Sequence, residues 1–178
     1  MFKKKLWLKI KRIYVIAICS LPVYSFAEIK PTKVAIDIGE SHDNIDIYRI
    51  GLQQEFSNWL DEKGIPLGGY WEASFNYWDG QQTDLYGLFL APVLFYQFCD
   101  SCRLSPYIEA GIGGGFINKK EMDNKDMSTH FQFEERIGVG VKMGRFDLNL
   151  RYMHYSNAGM KSPNPGMDIY LLGVSYQF

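Results

Sequence analysis

From Lys33 onward apolar and polar residues alternate with a period of two, in runs that stop at clusters of Gly, Pro, Asn, Asp and Ser. That period predicts β-strands, because successive strand side chains point to opposite faces. Eight runs are predicted: Val34–Glu40, Ile45–Phe56, Tyr70–Trp78, Leu85–Phe98, Leu104–Ile117, His130–Met143, Phe146–Ser156 and Asp168–Phe178. Their connections include the short turns Phe98-Cys99-Asp100-Ser101-Cys102-Arg103 and Gly144-Arg145, and the longer Ser57–Gly69, Asn118–Ser128 and Asn157–Met167.

The two faces of each run differ in character. In the last run Tyr170, Leu172, Val174, Tyr176 and Phe178 oppose Ile169, Leu171, Gly173, Ser175 and Gln177. In the seventh, Phe146, Leu148, Leu150 and Tyr152 oppose Asp147, Asn149, Arg151 and Met153. The sixth sets Phe131, Phe133, Ile137, Val139 and Val141 against His130, Gln132, Glu134, Arg136 and Lys142. An even strand count, aromatic residues near strand ends and short turns alternating with longer loops predict an all-β fold, an eight-stranded antiparallel transmembrane β-barrel of the outer-membrane type. A soluble β-sandwich or lipocalin-like barrel is the runner-up. The apolar face meets lipid. An eight-stranded barrel has no room for a channel, so the inward charges, with Arg151, are expected to form a salt-bridged plug. With both termini on the periplasmic side, the two short turns lie inside and Asn118–Ser128 and Asn157–Met167 outside; Ser57–Gly69 is longer than an inner turn should be. Glu135 falls among apolar neighbours; the rim, a bulge and a place near the candidate site are the readings open to it, and a rim or bulge position is expected.

The first residues do not belong to this pattern. Residues 1–12 carry six basic side chains and no acid, an apolar run interrupted by Pro22 follows, and Ser25-Phe26-Ala27 completes a small-x-small cleavage signal. Residues 1–27 are therefore expected to be a cleaved signal peptide and 28–178 the barrel domain. The apolar run is shorter than the ~20 residues a spanning helix needs, and Ile18 before Cys19 argues against a lipoprotein signal. Removing the leader changes the formal charge from −1 to −7, which argues against nucleic acid as a partner. Cys99 and Cys102, across a two-residue turn in an exported chain, are expected to form a disulfide; a redox role would want a thioredoxin-like setting and a zinc site two further ligands.

Candidate chemistry sits at the end of the seventh run. His154 and Ser156 are two apart, so on a strand they share a face, about 6–7 Å apart at Cα. Asp168 lies past the Pro163-Asn164-Pro165-Gly166 loop, and hairpin pairing centred near Ser162 would set it opposite His154 or Ser156. A serine hydroxyl needs a base to take its proton, and the base needs a carboxylate to fix its tautomer. Oxyanion donors could come from the backbone of Asn157-Ala158-Gly159, with Gly159 the favoured residue, or from the Asn164 side chain. Parity puts all three polar residues on the lipid-facing wall. A site there serves a substrate living in the outer leaflet: lipopolysaccharide or a stray phospholipid.

The run His154-Tyr155-Ser156-Asn157-Ala158-Gly159 with Pro163-Asn164-Pro165-Gly166, preceded by His130-Phe131-Gln132-Phe133, resembles the PagL family of outer-membrane lipid A 3-O-deacylases. The resemblance implies an eight-stranded barrel in the bacterial outer membrane. It also implies hydrolysis of the ester-linked 3-hydroxyacyl chain at position 3 of lipid A, with no metal and no cofactor. Position by position it makes His154 the catalytic histidine, Ser156 the nucleophile and Asn164 an oxyanion donor; Asp168 matches the acid position, where one member of the family has glutamate. Two other classes stay open: a non-enzymatic adhesion or membrane-integrity barrel, and a lipid A acyltransferase, whose groups would face a lumen pocket or loops. The sequence also leaves a homodimer open.

Overall fold

The structure, a computed structural model, describes residues 32–56 and 67–178. The expected leader, and residues 57–66 of the second connection, lie outside the described residues. The strands are β1 (Lys33–Ser41), β2 (Asp46–Glu55), β3 (Leu67–Asp79), β4 (Leu85–Gln97), β5 (Ser105–Ile117), β6 (Glu121–Met122), β7 (Lys125–Asp126), β8 (Phe131–Met143), β9 (Phe146–Ser156) and β10 (Met167–Gln177). Eight of them close a barrel in the order β1-β10-β9-β8-β5-β4-β3-β2, each antiparallel to its neighbours, and β6 and β7 form a small ribbon in the loop between β5 and β8. Closure comes from the first and last strands, with Val34 opposite Tyr176 and Ile38 opposite Leu172, so among the described residues the barrel sheet has no free edge.

Alternation inverts the usual globular arrangement. Ile36, Leu88 and Leu150 are 60%, 66% and 58% exposed on the outer wall, while Asp37, Arg49, Glu72, Glu109, Glu134, Arg136 and Arg151 are buried in the lumen. This division suits a wall bathed in hydrocarbon. Arg151 donates through Nε to Glu109 (2.6 Å) and through Nη1 to Asp37 (2.7 Å). Arg49 donates to Asp37 (2.9 Å) and to Glu72, and Arg136 Nη2 lies 2.6 Å from Glu72. Tyr70 donates to Glu109 at 2.8 Å. The expected plug is present, and β1, β2, β3 and β5 contribute as much to it as β8 and β9.

One member of the predicted inward set lies elsewhere. His130 precedes β8 and is exposed at the rim, its Nδ1 2.8 Å from the Ile117 carbonyl. Lys142, at the opposite end of β8, keeps the inward face opposite Asp147 and Ser105, with Nζ 3.8 Å from the centre of the Phe95 ring, a cation-π contact. The third strand starts earlier than the sequence suggested. Gly68 and Gly69 read as a turn, yet both are in β3, and the rings of Phe95 and Phe56 occupy the space a Cβ would fill. Above the charged plug, toward the long loops, the interior turns apolar: Ile45, Ile47, Trp78, Leu85, Phe89, Met153, Tyr155 and Ile169 pack with Met122 and Met127 from the β5–β8 loop. At the other end of the barrel Cys99 and Cys102 are joined in a disulfide with Cα atoms 5.6 Å apart.

Candidate active site on the lipid-facing wall

The end of β9 is anchored from inside. Met153 and Tyr155 point inward and are fully buried; Tyr155 packs edge-on against Trp78 and Phe89, donates to Glu134 (2.9 Å) and accepts from Asn76 (3.1 Å). Residues between and beside them must then face outward. His154 pairs with Asp168 across the β9–β10 ladder, and Ser156 pairs with Phe133 across the β8–β9 ladder. Of the two registers the sequence allowed, the structure adopts the one that sets the carboxylate beside the imidazole.

His154 Nδ1 and Asp168 Oδ1 are 2.6 Å apart, and the same oxygen accepts from the Tyr152 hydroxyl at 2.7 Å. A carboxylate accepts, so Nδ1 carries the proton, and in the neutral imidazole Nε2 is then the free acceptor. Ser156 is 7% exposed and takes a 3.3 Å hydrogen bond from the Ala158 N–H onto Oγ. Among the described residues no hydrogen bond joins Ser156 to His154. Such contacts are commonly loose before substrate binds. The histidine and the acid are thus in contact, and the serine stands on the same face.

The loop after β9 is bent by Ala158 (φ 53°), Gly159 (φ 72°) and Gly166 (φ 71°), in the left-handed region. Its buried Asn157 side chain donates to the carbonyls of Met127 (3.1 Å) and Lys161 (2.9 Å). The Asn157 N–H donates to Asn164 Oδ1 at 3.0 Å, which orients that amide with its NH₂ away from the bond. Of the backbone donors expected from Asn157-Ala158-Gly159, the first is occupied by Asn164 and the second by Ser156. The Gly159 N–H and the Asn164 NH₂ have no partner among the described residues.

Several residues at the site were not assigned from sequence. Tyr152 read only as part of the apolar wall. Gly166 read as a turn residue, yet a Cβ there would lie 2.6 Å from His154 Cε1. Glu135 is neither at a bulge nor at the rim, which corrects the sequence expectation: the β5–β8 and β8–β9 ladders run unbroken through it, and it pairs with His154. Lys125, inside the charged loop, donates to the Gly166 carbonyl (3.1 Å) and pairs with Asp43 (2.8 Å), while Ser128 donates to the Pro163 carbonyl at 2.7 Å. Asp123 in the same loop accepts the N–H groups of Gln81, Gln82 and Thr83, which hold its carboxyl below the usual carboxylate range. These links depend on contacts distant in sequence, and no local pattern announces them. Among the described residues no group of three or more His, Cys, Asp or Glu side chains could hold a metal ion.

Comparison with known proteins agrees with this architecture. The family model for lipid A 3-O-deacylase (PagL) matches residues 46–177. The chain is 33% identical over 150 residues to the lipid A deacylase PagL of Pseudomonas aeruginosa, covering 82% of this chain and 86% of that one. It is 34% identical over 125 residues to the lipid A deacylase PagL of Bordetella bronchiseptica, covering 67% of this chain and 57% of the relative. The crystal structure of the outer membrane enzyme PagL superposes with a TM-score of 0.75 at 32% identity, over 82% of this chain and 99% of that one. Likeness of sequence and of barrel extends across most of the described strands, and the chain belongs to the PagL family of outer-membrane lipid A 3-O-deacylases.

Proposed function

We propose that this chain hydrolyses the ester-linked 3-hydroxyacyl chain at position 3 of lipid A in the outer leaflet, through Ser156, His154 and Asp168. The observation that carries the reading is the 2.6 Å His154–Asp168 contact on the lipid-facing wall, beside the outward Ser156. An ionisable pair on that face is costly unless it is used.

The residues act in sequence. His154 Nε2 takes the Ser156 proton as Oγ attacks the ester carbonyl, and Asp168 stabilises the imidazolium that forms. The tetrahedral oxyanion is met by the Gly159 N–H and the Asn164 NH₂, donors left unoccupied by the loop's own bonds. Collapse breaks the bond to the sugar oxygen, which leaves with the proton from His154. Water, activated by the same imidazole, then releases the 3-hydroxy fatty acid and restores Ser156. The aspartate reaches the imidazole from a directly opposed strand position, so a shorter acid than glutamate suffices here.

An acyltransferase with a lumen pocket is disfavoured by the interior. The lumen cavity among Trp78, Leu85, Ile117, Met127, Gln132, Tyr155 and Met167 measures about 10 Å³, room for one water at most. The roomier pocket, about 190 Å³, lies among the loops and is lined mainly by the polar Asp43, Gln81, Gln82, Asp123, Asn124 and Lys125. The test is mass spectrometry of lipid A from cells expressing the wild type or Ser156→Ala, with barrel folding read from heat-modifiable gel mobility. Wild type should remove one 3-hydroxyacyl mass and the variant should lose at least about a thousandfold in rate. Unchanged lipid A, both in cells and with purified enzyme and lipopolysaccharide in detergent, would sink the reading.

A further inference from the structure

Glu135 is a wall carboxylate, next to the site, that the mechanism leaves unused. It sits in β8, opposite His154 on β9 and opposite Ile112 on β5, between Phe133 and Ile137 on the outer face. Its sequence neighbours Glu134 and Arg136 turn into the lumen and are buried, so Glu135 itself faces lipid, half-buried. Asp37, Glu72, Glu109, Glu134, Asp147 and Asp168 each accept a hydrogen bond from a neighbouring side chain. Glu135 makes no hydrogen bond or ion pair among the described residues. A charge on the lipid face is unfavourable at a depth where the next residues along the strand are aliphatic, so its partner is expected to come from outside the protein.

The ladder says where that partner lies. Ser156 pairs with Phe133, and Glu135 is one step further from the loops on β8, the diagonal neighbour of Ser156. Diagonal neighbours across a ladder are about 7–8 Å apart at Cα, within the combined reach of a glutamate and a short stretch of substrate. With the ester carbonyl at Ser156 Oγ, the acyl chain must run away from the loops along the wall, toward the membrane interior. Its second carbon beyond the carbonyl then passes Glu135. On the opposite flank Asp168 is engaged by His154 and Tyr152, so the free acceptor on the acyl path is Glu135.

We propose that Glu135 accepts a hydrogen bond from the 3-hydroxyl of the departing acyl chain and sets the enzyme's preference for 3-hydroxyacyl over unsubstituted acyl esters; this rests on the deacylase reading above. A hydroxyl carried along an apolar wall needs an acceptor, and a carboxylate supplies a charge-assisted one. A site built to bind a hydroxyl also rejects the analogue lacking it, because the buried acceptor is then left unpaired.

The test uses the purified full-length barrel in detergent micelles with three p-nitrophenyl esters of one chain length: 3-hydroxy, 3-methoxy and unsubstituted. Wild type should favour the 3-hydroxy ester over both others by at least about tenfold in kcat/KM, the methoxy group having bulk but no proton to donate. In Glu135→Leu the ratio of 3-hydroxy to unsubstituted should collapse toward one, and in Glu135→Gln, which keeps a carbonyl acceptor, it should fall part of the way. A preference that survives Glu135→Leu, or that the methoxy ester shares, overturns the assignment. Equal losses on all three esters, with a displaced acid limb of the pH–rate profile, also overturn it and make Glu135 an electrostatic support of His154 instead. Wild-type enzyme inert toward every ester and toward lipopolysaccharide would remove the deacylase reading itself.

Discussion

Strand β9 carries two ionisable groups three residues apart on opposite faces, and they live under opposite rules. Arg151 faces the lumen, where Glu109, Asp37 and Tyr70 surround it and every partner is itself bonded to the strands around it. His154 faces lipid with one carboxylate on one nitrogen and the other nitrogen left for a substrate. A polar network with its donors and acceptors matched rigidifies a core. One with an open valence is where chemistry can occur. On β9 the number of partners, more than the residue types, separates scaffold from site, although elsewhere in the lumen Arg49 Nε, Arg136 Nε and Arg136 Nη1 find no hydrogen-bond partner among the described residues.

The comparison is broken most strongly on the catalytic side. Asp168→Asn keeps the shape of the acid but favours the wrong imidazole tautomer, and a loss of about 10⁴-fold in kcat is expected from analogous triads. Fatty-acid release from lipopolysaccharide reads the rate, and heat-modifiable mobility should be that of wild type. A loss below tenfold would remove Asp168 from the reaction.

The complementary change on the lumen side should spare chemistry and harm the fold. Arg151→Leu leaves Glu109 and Asp37 short of a cation inside the barrel, at an expected cost of about 3–5 kcal/mol. Urea unfolding in lipid vesicles measures it. Adding Glu109→Leu to that variant should restore part of the loss, since a buried pair replaced whole is far cheaper than a pair broken.

Gly166→Ala sharpens the comparison with the smallest step. The added methyl would meet the His154 ring at 2.6 Å from Cε1, in a backbone conformation with φ 71° that alanine disfavours. A misplaced imidazole should lower kcat by about 10- to 100-fold while KM stays near the wild-type value. A rate equal to wild type would mean that the loop yields and the ring does not.

Much of the wall was legible because lipid enforces a period of two along each strand. Phe146–Ser156 was readable to its limits, with a tight turn on one side and a Pro/Gly loop on the other. The faces of Tyr152, Met153, His154 and Tyr155 followed from alternation alone. Glycines misled where rings cover them, as at Gly68 and Gly69, because a local breaker signal says nothing about an aromatic side chain arriving from another strand. Glu135 misled in the opposite sense: a charge in an apolar row suggested a fault in the ladder, and the ladder is regular. His154, Ser156 and Asp168 could be gathered from spacing and hairpin pairing. The neighbours that orient them could not, since Lys125 meets Gly166, and Asn157 meets Met127, only after two separate loops have folded together over the mouth.

That meeting of loops bears on how such a chain can change over generations. Lys125 links Asp43 of the β1–β2 loop to the Gly166 carbonyl, and Asp123 gathers the β3–β4 turn into the same assembly. Surface loops usually drift independently, each free to lengthen or vary without regard to the others. Here Lys125 spans from Asp43 to the carbonyl of the glycine that borders the imidazole, so a substitution at position 43 is expected to be felt beside His154. The loop end of this barrel holds together as one connected assembly.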